Sequence, residues 1–174
     1  LGVTPTFTKC TTTQQSQIVT ALNSADAYAA NAKTYFGSHS ATSISARYTT
    51  WFGAATPARY TTGTNHFDAI QAAFATKPIT VDCGCKKTYY AYVYPTQPYK
   101  IYVCKAFWSA PNTGTDSRAG TLIHEMSHFN AVAGTDDHVY GQAGAKSLAI
   151  SNPDNALDNA DNHEYFSENT PAQN

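Results

Sequence analysis

The 174-residue chain reads as an α+β protein, rich in helix, with one small sheet near its middle. Apolar residues recur at helical spacing through its first and last thirds. Between them lie three short runs of β-branched and aromatic residues, separated by polar or proline-bearing turns as short strands are. Next comes His124-Glu125-x-x-His128 in a stretch without proline, which sets two histidines one above the other on a helical face. A single domain over residues 1–174, long enough for a proper core, is expected.

The elements follow in order. Residues 13–36 give a helix with Ile18, Leu22, Ala25, Ala29 and Ala32 as its stripe, ended by Gly37. Helices are expected over 41–52 and over 64–76, the latter stopped by Lys77-Pro78. Strands are expected over 79–85, 89–94 and 100–104, in a small, mainly antiparallel sheet. Residues 105–116 form a loop, and Thr115 or Asp116 can cap the helix that follows. That helix carries an apolar stripe of Ala119, Leu122, Met126, Phe129 and Ala133 opposite the histidines, with Gly134 as a left-handed terminator. Helices over 141–151 and 154–168 complete the chain.

Composition excludes several classes. The formal net charge is −1 and charged residues make up 13 % of the chain, so no basic stripe invites nucleic acid. No apolar run approaches a membrane span. The chain starts at Leu1 with neither an initiator methionine nor a signal sequence, which predicts a mature, secreted product of a longer precursor. Cys10, Cys83, Cys85 and Cys104 lack the Cys-x-x-Cys spacing of a zinc site, and an even count in a secreted chain predicts two disulfides. Three pairings exist; Cys83 with Cys85 is the least favourable, because one intervening residue strains the ring. No Asn-x-Ser/Thr sequon occurs, O-linked sugars stay open, and the default state is a monomer.

The chemistry concentrates on the histidine helix. Two imidazoles four residues apart can reach one ion, and Glu125, about 100° around the helix, lies beside that ion rather than on it, where a general base belongs. Catalytic zinc usually takes three protein ligands. Asp136, Asp137 and His138 are local candidates for the third, just past the turn at Gly134, and Glu164 is a distant one. The metzincin arrangement fails, since Ala131 and Gly134 stand where it needs glycine and histidine. Asp161 and Glu164, three residues apart, share a helical face and can converge on one ammonium; from spacing alone a solvated acidic face fits better. His39, His66 and His163 read as isolated, structural histidines, and Asp136 as a solvated turn residue.

His124-Glu125-x-x-His128 followed by Gly134-Thr135-x-Asp137-x-x-Tyr140-Gly141 resembles the paired motif of the aspzincin (deuterolysin-like) metalloendopeptidases at every fixed position. The resemblance implies a zincin-like fold, one zinc ion per chain held by His124, His128 and Asp137, Glu125 as general base and Tyr140 as donor to the developing oxyanion. One such donor is worth roughly 3 kcal/mol in the transition state. It also favours disulfides Cys10–Cys83 and Cys85–Cys104, the second closing a loop worth about 3 kcal/mol in the chain-entropy picture. The block around Asp161 and Glu164 is similar to the peptidyl-Lys metalloendopeptidases, a secreted fungal branch of that family, which implies that this pair lines a pocket for lysine on the carboxyl side of the cut bond. Polypeptides containing lysine are then the expected partners. The rivals are a broad-specificity aspzincin whose acidic pair decorates the surface, and a secreted zinc-binding protein with no catalytic role.

Overall fold

A computed structural model describes residues 1–174. The chain runs β1 (Thr6–Thr8), α1 (Thr12–Ser38), α2 (Ala46–Phe52), α3 (Pro57–Thr76), β2 (Thr80–Asp82), β3 (Ala91–Tyr92), β4 (Lys100–Val103), α4 (Lys105–Ser109), α5 (Arg118–His128), α6 (Gly141–Ser151), α7 (Pro153–Leu157) and α8 (Ala160–Glu168). The fold is α+β, as expected from the sequence. No helix is long and apolar enough to cross a membrane.

Local chemistry explains most boundaries. Thr11 and Gln14 form a reciprocal capping box on α1, and the helix overruns Gly37 by one residue. Thr56 caps α3 through the Arg59 N–H with Pro57 in the first turn, so α3 starts seven residues before the expected 64. α2 starts later than expected, because Ser40 and Ser43 pair across a turn and Ser45 begins the helix. The expected loop over 105–116 contains the short α4. The expected helix over 154–168 divides into α7 and α8 at Asp158–Asn159, where the backbone bridges to Asp136.

The sheet order is β1-β2-β4-β3. β1 pairs with β2 and β2 with β4 in parallel, and only β3 with β4 is antiparallel, so the mainly antiparallel expectation is overturned. Two connections cause this. The α1–α3 block is a crossover that returns β2 alongside β1 in the same direction. β3 then takes the outer edge and leaves the centre to β4, so consecutive strands are not neighbours throughout. Cys10–Cys83 and Cys85–Cys104 are the two disulfides, and the second ties the chain just before β3 to the end of β4.

Helices α1, α3, α5 and α8 pack on one another around an aromatic core. Phe67 stacks on Phe36 at 5.4 Å, and Phe166 lies 5.2 to 5.5 Å from Phe36, Phe52 and Phe67. Each buried ring adds area at roughly 25 cal/mol per Å². Against this core sits His163, fully buried, and it is not isolated. Its Nδ1–H donates to the Asn159 carbonyl at 2.8 Å, so its Nε2 is left as the acceptor of the His66 Nδ1–H at 3.0 Å. Burial, and then His66, push the His163 pKa down to about 3. The unfolded chain therefore takes this proton first, and stability falls as pH drops from about 6.5 toward 3, by up to about 1.4 kcal/mol per pH unit. Thermal melts across pH 7 to 4 should show a shallower acid slope for His163→Gln than for the parent chain; parallel slopes would remove His163 from the account.

Candidate active site

Helix α5 begins on Ser117, whose Oγ accepts the Gly120 N–H at 2.9 Å. Neither Thr115 nor Asp116 is the cap. Asp116 stands in the left-handed region (φ 53°) with its carboxylate taken by the Tyr165 hydroxyl at 2.5 Å. The helix stops at His128, with Phe129 as its extended C-cap, so Ala133 is not part of it. Gly134, left-handed at φ 58°, then turns the chain back so that Thr135 meets Ser127 and His128. Every residue from Ala119 to His128 is buried, with Leu122, Met126 and Phe129 in the core and the His-Glu face walling a cavity of about 890 Å³.

His124 Nδ1 donates to Asp161 Oδ1 at 2.6 Å, and His128 Nδ1 donates to the Thr135 carbonyl at 2.7 Å. Both acceptors lack hydrogens, so each neutral ring carries its proton on Nδ1 and points a lone pair from Nε2. The two Nε2 atoms lie 3.2 Å apart, and Asp137 Oδ1 lies 3.1 and 3.2 Å from them. With both rings neutral, three electron pairs converge, an arrangement relieved only by a cation: protons on the imidazoles, which then bond Asp137, or a metal ion held by all three. Tetrahedral zinc with bonds of about 2.0–2.1 Å separates its ligands by about 3.3 Å. The donor set fits zinc.

Glu125 Oε2 lies 4.0 Å from His124 Nε2, beside this triangle and outside it. Burial pushes its carboxyl up, and the two histidines pull the other way. For Asp137, burial is outweighed by the histidine hydrogen bonds, which hold it well below the usual carboxylate range. Tyr140, the residue before α6, lines the cavity with 69 % of its surface exposed. Burial of its hydroxyl and the adjacent Asp137 push the phenol up to about 12. Asp136 and His138 stay out of the triangle: Asp136 pairs through its backbone with the start of α8, and His138 Nε2 bonds the Asp158 carboxylate at 2.8 Å.

No local pattern marks Asn159 as part of the site. Its side chain is fully buried, accepts the His138 and Val139 N–H groups at 2.7 and 3.2 Å, and donates to the Val139 carbonyl and Asn162. It pins the loop that carries Asp137. Groups that orient metal ligands are typically worth 10–100-fold in affinity. Asn159→Ala should therefore weaken zinc binding by roughly that factor, read by competition with a chelator of known affinity, and unchanged affinity would dismiss the role.

The acidic pair on α8 divides its work. Asp161 uses Oδ1 for His124 and Oδ2 for the Gly141 N–H at 2.8 Å. Glu164 is buried at the cavity wall, its Oε1 3.7 Å from His124 Nδ1, with no N–H donor of its own. Burial, then Glu168, push its carboxyl well above the usual range. Across the cavity runs β3. The Tyr90 carbonyl accepts the Cys104 N–H, so Tyr90 and Tyr92 face β4 while Ala91 and Val93 turn their backbone groups to the open edge.

The profile of the aspzincin family, described as lysine-specific metallo-endopeptidase, matches residues 37–168. A peptidyl-Lys metalloendopeptidase of Pleurotus ostreatus is 54 % identical over 168 residues, 96 % of this chain and 98 % of that one. An extracellular protease of Aeromonas hydrophila is 55 % identical over 95 % of this chain, and a peptidyl-Lys metalloendopeptidase of Armillaria mellea 48 % identical over 99 %. This chain spans 47 % and 49 % of those two proteins, about half of each. A solved zinc peptidase from Grifola frondosa superimposes with a TM-score of 0.90 at 47 % identity, covering 95 % of this chain and all of that one. With the fold, the paired motif and these relatives in agreement, the chain belongs to the aspzincin family of metallo-endopeptidases.

Proposed function

We propose that residues 1–174 form one catalytic unit, an extracellular zinc endopeptidase that cuts polypeptides on the amino side of lysine. The observation that carries this is the triangle of His124 Nε2, His128 Nε2 and Asp137 Oδ1 with the Glu125 carboxylate beside it. Zinc, when bound there, supplies an activated water and a Lewis acid for the scissile carbonyl. Asp161 and the Thr135 carbonyl fix the tautomer and direction of the two imidazoles. Glu125 takes a proton at its carboxylate and later hands it to the leaving amine. Tyr140 keeps its proton at neutral pH and donates to the oxyanion.

Substrate binds as an added strand on the free edge of β3, through the backbone groups of Ala91 and Val93. Asp161 and Glu164 receive the lysine ammonium. A compact ammonium fits two convergent carboxylates, whereas a planar guanidinium wants a wider, bidentate partner. Two disulfides support an oxidising, extracellular setting, in line with the Aeromonas relative named an extracellular protease. The chain acts as a monomer, and its charge of −1 supports neither nucleic-acid nor membrane partners.

A mass-spectrometric map of every bond cut in an unfolded protein, with and without chelator, tests the reading. Cuts confined to the amino side of lysine and abolished by chelator are expected. Chelator-sensitive cuts at many residue types would keep the zinc chemistry and overturn the lysine preference. Absence of cuts by the zinc-loaded protein would overturn both.

A further inference from the structure

Helix α8 sets Glu164 and Glu168 one turn apart on the same face. Glu164 lines the cavity; Glu168 does not, and is buried behind it. The Glu168 carboxylate is fully engaged. It accepts the Asp116 N–H at 3.1 Å, the Ser117 N–H at 2.9 Å and the Ser117 hydroxyl at 2.8 Å. These donors open α5, the helix that carries His124, Glu125 and His128, so Glu168 sits where the helix dipole favours an anion. Gly120 makes the seat possible, since a Cβ there would overlap Glu168 Oε2.

Glu164 is placed differently. Asp161 is held by two N–H donors, whereas no N–H group holds Glu164, and the side chain one turn further along its own face is Glu168. A glutamate side chain left to itself samples many rotamers, and ordering it on an arriving cation costs entropy. A neighbour that fixes the rotamer beforehand removes that cost.

We propose that Glu168 is a positioning residue for lysine recognition: seated on the first turn of α5, it fixes the side chain of Glu164 at the cavity wall. The inference rests on the lysine pocket proposed above. It also gives Gly120 a purpose, the room in which Glu168 docks. Recognition of the substrate side chain and placement of the metal-binding helix then share one anchor.

The test compares zinc-loaded wild type, Glu168→Gln, Gly120→Ala and Glu164→Gln on two peptides that differ only in lysine or uncharged norleucine after the cut bond. Glu168→Gln weakens the seat by chemistry, and Gly120→Ala displaces Glu168 while leaving its charge. Both should raise KM for the lysine peptide roughly ten-fold, the scale of one charge-assisted hydrogen bond, with kcat within about two-fold. KM for norleucine should stay put, and zinc should remain at one per chain. A merely structural Glu168 would move both peptides, kcat and zinc content together, and that result overturns the proposal. If Glu168→Gln does not fold, Gly120→Ala carries the measurement; if neither folds, Glu168 is structural and the proposal fails. Glu164→Gln separates the two ideas. Should it spare the preference for lysine, the pocket itself is wrong. Should it abolish that preference while the other two variants behave as wild type, only the role of Glu168 is lost.

Discussion

Glu125→Gln is expected to retain one zinc per chain and to lose turnover by at least roughly 10³-fold, within the range a positioned general base contributes. Glu125 lies outside the ligand triangle, 4.0 Å from the nearer Nε2, and glutamine keeps its volume in a fully packed helix, so neither the metal nor the fold has reason to leave. What disappears is the carboxylate that accepts the proton. KM should change little, because the proposed substrate contacts lie on β3 and α8 rather than on Glu125. The measurement is kcat and KM beside zinc content by mass spectrometry. Activity within ten-fold of wild type would move the base to another residue, and zinc lost along with activity would make Glu125 a ligand.

Glu164→Gln and Asp161→Asn are expected to part company. Glu164→Gln should cut kcat/KM on a lysine peptide by roughly 10²-fold, the scale of an ammonium left without one partner of a buried pair, while zinc affinity holds. The family resemblance places Asp161 in the same pocket, but Asp161 Oδ1 also receives the His124 Nδ1 proton at 2.6 Å and Oδ2 the Gly141 N–H. Asp161→Asn must therefore disturb the His124 tautomer as well, and should lower zinc affinity by 10–100-fold on top of its effect on lysine. Kinetics on lysine and norleucine peptides together with chelator competition resolve the two. Equal effects on zinc would mean that Glu164 also orients a ligand.

The parts of the site legible in the sequence were those whose chemistry fixes a spacing. His124, Glu125 and His128 lie on one helical turn, so their mutual geometry is nearly given once the helix forms. The stretch from Gly134 to Gly141 was legible through the family motif, and so was the choice of Asp137 over Asp136 and His138, which nothing local decides. The cysteine pairing came the same way. Residues that work across distance left no trace: Asn159 reaches His138 and Val139 twenty or more positions back, and Glu168 reaches Ser117 fifty-one positions back. In the fold, helices were legible from their periodicity, but the start of α3 was missed although Thr56-Pro57 is a good capping pair. Strand direction was not legible, because Thr80–Asp82 and Lys100–Val103 have the same composition whichever way they pair. The break between α7 and α8 answers to the backbone bridge with Asp136, a partner that no local pattern announces.

The disulfides bear on how such an enzyme outlives itself in concentrated solution. An endopeptidase with the proposed lysine preference carries its own target bonds, and here Lys33 and Lys77 fall within the ring closed by Cys10–Cys83, while Lys86, Lys87 and Lys100 fall within that closed by Cys85–Cys104. A self-inflicted nick at any of these leaves the two ends covalently joined, and the severed piece can re-seat without having to find its partner again. Lys9, Lys105 and Lys146 have no such insurance, and they are the three lysines at which a single cut parts the chain into two unconnected pieces.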